Sequence, residues 1–509
     1  MAAPVARAGN DTVDCDWPMF GHDARRSFAA PKGCTDITSL NAPTLAPKWY
    51  FHAPDAVSAS PAIVDGKVYV GDWAGNFYSF DAATGALAWP KPFVVDDTSH
   101  IGFGRIVSSA AVTSVGDKHV VLFGGGATLY ALDAASGVPL ASVCVDPREL
   151  PDPQKRCHDP SGPEVEIESS PAVVPHGPNH IDVVVGMDVH NDAGVGAAGV
   201  LKLSLQAVGD DIKLTPDWKF DPDARRAYSG DDLLTEGSGG GSGCADVWGS
   251  PAVDPHLEMV FFGTGSCSDP DDAERTGEHV WGISLDDGSF VWTQGPHGAD
   301  GVVDDDFGGA LNLLAGSKVG AGSKDGTYYA FDRLTGGLRW ATHVGQYGHA
   351  SDGFAVGGVL ASPATGFVNG EPAVFIATAI STPNDKPIED GPDTGVPTVS
   401  EDPQRMLSLH AISAVDGRIL WRSPISRQAY GPPTYVNGVV LVPSTFDFSL
   451  VAVDANTGST LAQRPLPGPP SSAPTAVGDT VYGGIGTSTG EGSPLAPVSG
   501  VYAFQVVGP

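Results

Sequence analysis

The sequence predicts an all-β protein, an eight-bladed β-propeller, on three observations. One unit recurs along the chain: a Ser-Pro-Ala strand, a turn, a β-branched strand ending in Gly, a third strand ending in Asp, then a Thr-Gly turn and a Trp strand. Within each copy apolar and polar residues alternate with period two, as in KVYVG and FYSFD, the pattern of half-buried strands. The composition, 66 Gly and 43 Pro with 17% charged residues, suits a turn-rich β chain and not a disordered one. Roughly 150 residues per domain would divide 509 residues into about three. The repeats override that rule, because repeat folds grow by adding copies.

Taken in chain order, residues 1–42 read as an N-terminal extension and residues 43–509 as a single propeller. PTLAPKWYFHA, from Pro43 to Ala53, resembles the fourth strand that the last copy, ending at VYAFQVVGP, lacks. Pairing the two would close the ring with a strand from the other end of the chain and remove exposed edges. The clearest full copy runs from Ser58 to Trp89, and further copies start at Val107, Glu168, Gly249, Gly308, Ala361, Gly431 and Ser472. Their typical spacing of roughly 40 to 60 residues is the period of a propeller blade. The Asp-x-x-Thr-Gly segments at Asp81, Asp133, Asp332 and Asp454 are tight turns, with Asp bonding backbone amides and Gly accepting positive φ. Trp89, Trp292, Trp340 and Trp421 follow such turns and are expected to pack flat between blades. The polar, Pro-rich insert from Asn384 to Gln404 is expected to be a surface loop.

Charge and cysteine content narrow the function classes. With 28 Lys and Arg against 60 Asp and Glu, the formal net charge is −32, which disfavours nucleic acid and anionic membranes as partners. No apolar run of about 20 residues is present, so no membrane-spanning helix is expected. The first residues, MAAPVARAGNDTVDCDW, lack the apolar core of a signal peptide, as they would after its removal. Six cysteines fall into three local couples, Cys15 with Cys34, Cys144 with Cys157, and Cys244 with Cys267. Disulfides, and a secreted or periplasmic location, are the expectation. Cys157-His158 is preceded by Gln154 where Cys-x-x-Cys-His needs a cysteine, so covalent haem is not expected.

ADVWGSPAVDPHLEMVFFGTGS, from Ala245 to Ser266, resembles the Trp, Asp-Pro-x-Leu and Gly-Thr-Gly-Asn segment of the pyrroloquinoline-quinone (PQQ) dependent alcohol dehydrogenases. The opening WPMFGHDARRS, from Trp17, is similar more narrowly to polyvinyl-alcohol dehydrogenases. The resemblance implies a quinoprotein propeller in which Trp248 lies flat under the quinone, a role suited to a large rigid ring. It places Ser266 where the family has an Asn ligand to Ca²⁺, a hard cation that takes oxygen donors. Asp306, before Phe307-Gly308, matches the catalytic base, with Asp304 as the second candidate. With Asp306 as base, Gly308 stands where lanthanide-using relatives carry a further Asp; with Asp304 as base, Asp306 becomes that ligand. Calcium is favoured over a lanthanide.

Lys324, in SKDGTYYAFD, matches the cation that faces the reactive carbonyls, where positive charge stabilises the reduced cofactor. Asp325-Gly326 beside it reads as a hairpin turn. Asp192, with Asp188 as an alternative, falls nearest the family's metal-binding Glu, and Arg105 matches a cofactor-binding arginine. The vicinal cysteines of many relatives are missing. The resemblance thus implies oxidation of an alcohol substrate, with Asp306 taking the proton as hydride passes to PQQ. Electrons would then leave to a separate acceptor, such as a basic cytochrome c steered by the acidic surface. The alternative is a quinoprotein-like propeller without cofactor that serves as a binding scaffold.

Overall fold

In the computed structural model, the described residues are 15–96, 104–146, 157, 165–188, 199–230, 233, 245–265, 276–296, 305–345, 358–378, 408–423, 429–445, 447–487 and 498–508. They form eight antiparallel sheets, seven of four strands and one of five. The innermost strands are Ala62–Val64, Ala111–Val115, Ala172–Pro175, Ala252–Asp254, Asn312–Leu314, Ala364–Val368, Thr434–Val436 and Thr475–Val477, which we number blades 1 to 8. These strands adjoin one another in circular order. Leu45–His52 pairs antiparallel with Gly500–Val506 as the outer strand of blade 8, so the ring closes with an N-terminal strand as the sequence implied.

Two expectations need amendment. Trp89 does not sit on a strand: the fourth strand of blade 1 is only Phe93–Val94, beyond Pro90 and Pro92, which cannot donate to a ladder. Blade 3 has no Thr-Gly turn and instead extends its third and fourth strands, Gly199–Val208 and Asp211–Asp221, adding a fifth, Arg226–Ser229.

The repeat residues are the joints of the ring. Trp292 of blade 4 lies on Gly336 of blade 5, where a Cβ would fall 2.7 Å from the indole, and its Nε1–H donates to Arg333 O at 2.7 Å. Trp49, Trp89, Trp218 and Trp421 dock on Gly85, Gly137, Gly288 and Gly458 in the same way, each donating to a turn carbonyl of the next blade. Nearer the axis, Ser60 Oγ accepts from Ala473 N, Ser109 Oγ from Ser60 N, Ser170 Oγ from Ser109 N, and Ser250 Oγ from Ser170 N. The Ser of the repeated Ser-Pro-Ala is thus an inter-blade hydrogen bond, while apolar clusters fill the space between sheets.

An inner strand has an unpaired edge toward the central channel, and here the N-terminal segment covers it. The second residue of six inner strands donates its N–H to this segment, in ring order. Ile63 bonds Trp17 O, Val112 bonds Pro18 O, Val253 bonds Ala24 O, Leu313 bonds Arg25 O, Thr365 bonds Ser27 O and Tyr435 bonds Phe28 O. Gly478 of blade 8 exchanges bonds with Cys34 O and Asp36 N. With Arg26 Nη2 donating to Ser170 O of blade 3, residues 17–36 form a belt that bonds to every blade, and the Cys15–Cys34 disulfide ties its start to its end. Cys144–Cys157 is the second disulfide; Cys244 and Cys267 lie outside the described residues.

Candidate functional site

Aligning the blades on the first residue of each inner strand gives one equivalent position six residues earlier. It holds Ala56, Arg105, Glu166, Asp246, Asp306, Gly358 and Pro469 in blades 1 to 6 and 8. In five blades its carbonyl accepts an N–H from just past the second strand: Ala56 from Trp73, Arg105 from Gly126, Glu166 from Asp188, Asp246 from Gly265, and Asp306 from Lys324. Equivalent backbone geometry in consecutive blades therefore gathers side chains far apart in sequence, and in blades 3, 4 and 5 every one at this position is a carboxylate.

Trp248 stands two residues after Asp246, before the first strand of its blade and not after a turn. Its six-membered ring fills the space over Gly308, where a Cβ would fall 1.6 Å from Cη2 and 1.7 Å from Cζ2. No side chain fits at position 308 with the indole there, so the further Asp of lanthanide-using relatives has no place at this residue. The half-buried Trp248 ring faces Lys324, whose Nζ lies 5.5 Å from the ring centroid, a cation over an aromatic face. Lys324 Nζ also donates to Asp306 Oδ2 at 2.6 Å. Asp306 is only 5% exposed, yet its Oδ1 has no hydrogen-bond partner. A buried carboxylate oxygen left in this state is costly unless a proton donor or cation comes to it.

Beside this group lies a ring of acids. Glu166, Glu168 and Asp188 bring one oxygen each to within 4.8 Å of one another. Glu168 is pushed well above the usual carboxylate range by loss of solvent, then by the charges of Glu166 and Asp188. Asp246 is pushed up likewise, by loss of solvent and then by Asp188 and Asp306. Like charges so close cannot all stay ionised unless protons or a cation neutralise them. Oxygen donors at this separation suit a hard divalent cation.

The structure brings together Trp248, Asp306 and Lys324. Arg105 holds the repeat position of blade 2, its side chain against Gly75 at the joint of blades 1 and 2. Asp304, Asp192 and Ser266 lie outside the described residues. Asp188, the second choice for the metal-binding acid, is in the carboxylate ring. Glu166, Glu168 and Asp246 were not singled out as site residues from the sequence, although aligning the repeats on their inner strands sets Glu166 and Asp246 level with Asp306 and Glu168 level with Trp248. The Asp325-Gly326 turn is as expected, with Gly326 at φ 87°.

A family profile described as glucose/ethanol/alcohol dehydrogenase, beta-propeller domain (PQQ), matches residues 17–338, and one described as outer membrane protein assembly factor BamB matches residues 399–500. The chain is 26% identical over 328 residues to an alcohol dehydrogenase (quinone), dehydrogenase subunit, of Gluconobacter oxydans, covering 57% of this chain and 40% of that protein. It is 26% identical over 301 residues to the quinohemoprotein alcohol dehydrogenase ADH-IIG of Pseudomonas putida, covering 55% and 39%. The chain thus matches about two fifths of the length of these curated relatives. Among solved structures, ADHIIG from Pseudomonas putida HK5 superimposes with a TM-score of 0.65 at 17% identity, over 96% of this chain and 80% of that one. A europium-containing methanol dehydrogenase gives a TM-score of 0.65 at 16% identity, over 96% and 98%. At these identities the superpositions speak for the fold.

Proposed function

The chain belongs to the PQQ-type glucose/ethanol/alcohol dehydrogenase β-propeller family, and from that premise we propose that it oxidises an alcohol at the channel mouth between blades 3 and 5. The observation that carries this reading is the buried Lys324–Asp306 pair over the Trp248 ring, with Asp306 Oδ1 left unbonded. Trp248 would support the flat face of PQQ, and Lys324 would offer its charge to the quinone. Glu166, Glu168, Asp188 and Asp246 would hold the cation, for which calcium is our choice. When bound, the quinone supplies a hydride acceptor and the cation polarises its carbonyl oxygen.

The chain's own residues do the rest. Lys324 anchors Asp306 Oδ2 and so orients the carboxylate, leaving Oδ1 to accept the hydroxyl proton of the alcohol. The belt covers the inner edges of the blades, beyond the site along the inner strands. The WPMFGHDARRS motif lies in that belt, where it serves the fold, so the choice of a polymeric or other secondary alcohol rests on the family resemblance alone. Two disulfides support an extracytoplasmic location. No helix among the described residues is long and apolar enough to cross a membrane. Reduced cofactor would pass its electrons to a separate acceptor, with the net charge of −32 favouring a basic one.

The test is reconstitution with PQQ and Ca²⁺ followed by gel filtration. Quinone absorbance that travels with the protein, and alcohol-dependent dye reduction, are expected; a colourless protein overturns the reading. One observation favours a second reading, a propeller that binds ligands without quinone. Glu166, Glu168, Asp188, Asp246 and Asp306 gather many acids beside the single lysine Lys324 paired with Asp306, while PQQ itself is an anion. Cation binding with no PQQ uptake would establish that alternative.

A further inference from the structure

We propose that Arg26, carried by the N-terminal belt, is a positioning residue for the site, holding in register the three blade segments that carry Glu168, Trp248 and Asp306. The inference rests on the reading above that the carboxylates bind a cation. Arg26 is fully buried. Its Nη2 donates to Ser170 O at 2.7 Å, two residues beyond Glu168, and its Nε donates to Pro251 O at 2.9 Å, three residues beyond Trp248. Its Nη1 returns to the belt at Phe20 O, at 2.8 Å, fixing the side chain against its own loop. The main chain completes the link: Arg26 O accepts from Asn312 Nδ2 at 2.6 Å, the first inner-strand residue of blade 5, six beyond Asp306.

Only a planar guanidinium presents donors in these fixed directions at once; a lysine ammonium is a point charge on a flexible stem. Burial pulls the Arg26 group down to about 9, against the charge of Asp23, so it remains cationic at neutral pH. Direct hydrogen bonds already link Ser170 N to Ser250 Oγ between blades 3 and 4. Position 310 of blade 5 is Ala, so the serine relay cannot pass from Ser250 to that blade, and Arg26 with Asn312 spans the gap. Elsewhere the belt bonds the ring through main-chain groups and short hydroxyls, as where Thr365 Oγ1 donates to Ser27 O at 3.0 Å in blade 6.

The test is calorimetric titration with Ca²⁺ alone, without quinone, of the full chain and three variants, each with its melting temperature. Arg26→Lys is expected to lower Ca²⁺ affinity by about tenfold or more, the scale seen when a residue that orients metal ligands is lost. Thr365→Val, which cuts a belt bond away from the site, should lower the melting temperature and leave affinity as it was. Asn312→Ser, which releases the Arg26 carbonyl together with its bonds to Pro363 O and the Tyr328 hydroxyl but keeps the guanidinium, should weaken Ca²⁺ in the same direction by a smaller factor and covers the case in which Arg26→Lys does not fold. Affinity in Arg26→Lys or Asn312→Ser equal to that of Thr365→Val overturns the proposal while leaving the cation reading intact. No Ca²⁺ binding by the unaltered chain overturns both.

Discussion

Trp292 and Trp248 both belong to blade 4, and both rest on a glycine of the neighbouring blade, yet they end in opposite states. Trp292 is sealed: it lies on Gly336, its indole N–H is bound to Arg333 O, and Phe261 and Phe331 close in on its ring. Trp248 lies over Gly308 but keeps a half-buried ring under a lysine, next to Asp306 and a ring of acids. The contact is the same kind of large-on-small packing in each case. The difference is what surrounds it: the same large-on-small contact that seals one joint leaves Trp248 unsealed among charges, at the place where we propose the site.

The largest effect should come from the sealed member. Trp292→Ala removes a buried indole and its hydrogen bond, and should cost about 3 to 5 kcal/mol of stability, read from chemical denaturation. If PQQ uptake by the folded fraction also collapses, the rim and mouth are not separable and the contrast fails. Next in size is Asp306→Asn, which keeps shape but removes the proton acceptor. Turnover should fall by about a hundredfold or more, with little change in melting temperature, in reconstituted protein. A stronger effect at Asp304→Asn would move the base to that residue.

Trp248→Ala should cost less, about 1 to 3 kcal/mol of PQQ affinity, in equilibrium titration. Stability should change far less than in Trp292→Ala, because Trp248 is half-buried; equal losses would make it another joint. The smallest effect concerns pH. Glu168 and Asp246 have folded values raised above their ordinary 4.5 and 3.8, so the folded state holds more protons than the unfolded one from that range upward. The ion-free protein should therefore lose stability as pH rises through that window. Added Ca²⁺ replaces those protons, so its stabilising effect should grow with pH. A Ca²⁺ shift in melting temperature that is flat from about pH 4 to 8 would place the cation away from these acids.

Much of the ring was legible because its determinants are local. The period-two strands need only neighbouring residues, and the turns close on their own atoms, as where Asp332 Oδ1 accepts from Thr335 N and Oγ1. The closing strand Leu45–His52 was legible too, since a blade short of one strand has a single candidate to complete it. The acids of blades 3 and 4 were harder to see. Glu166, Glu168 and Asp246 read as ordinary charged residues in an acidic chain until the inner strands fix which positions of different copies coincide.

By itself the sequence determined the propeller and its closure, because spacing along the chain carries that information, and its resemblance to a family's motifs pointed to Trp248, Asp306 and Lys324. Only the tertiary structure decided that a carboxylate ring stands beside them, that Gly308 must stay bare beneath the indole, and that WPMFGHDARRS is a belt and not part of the mouth. Those facts depend on which copies of the repeat become neighbours in the ring, and on carboxylates brought together only by folding.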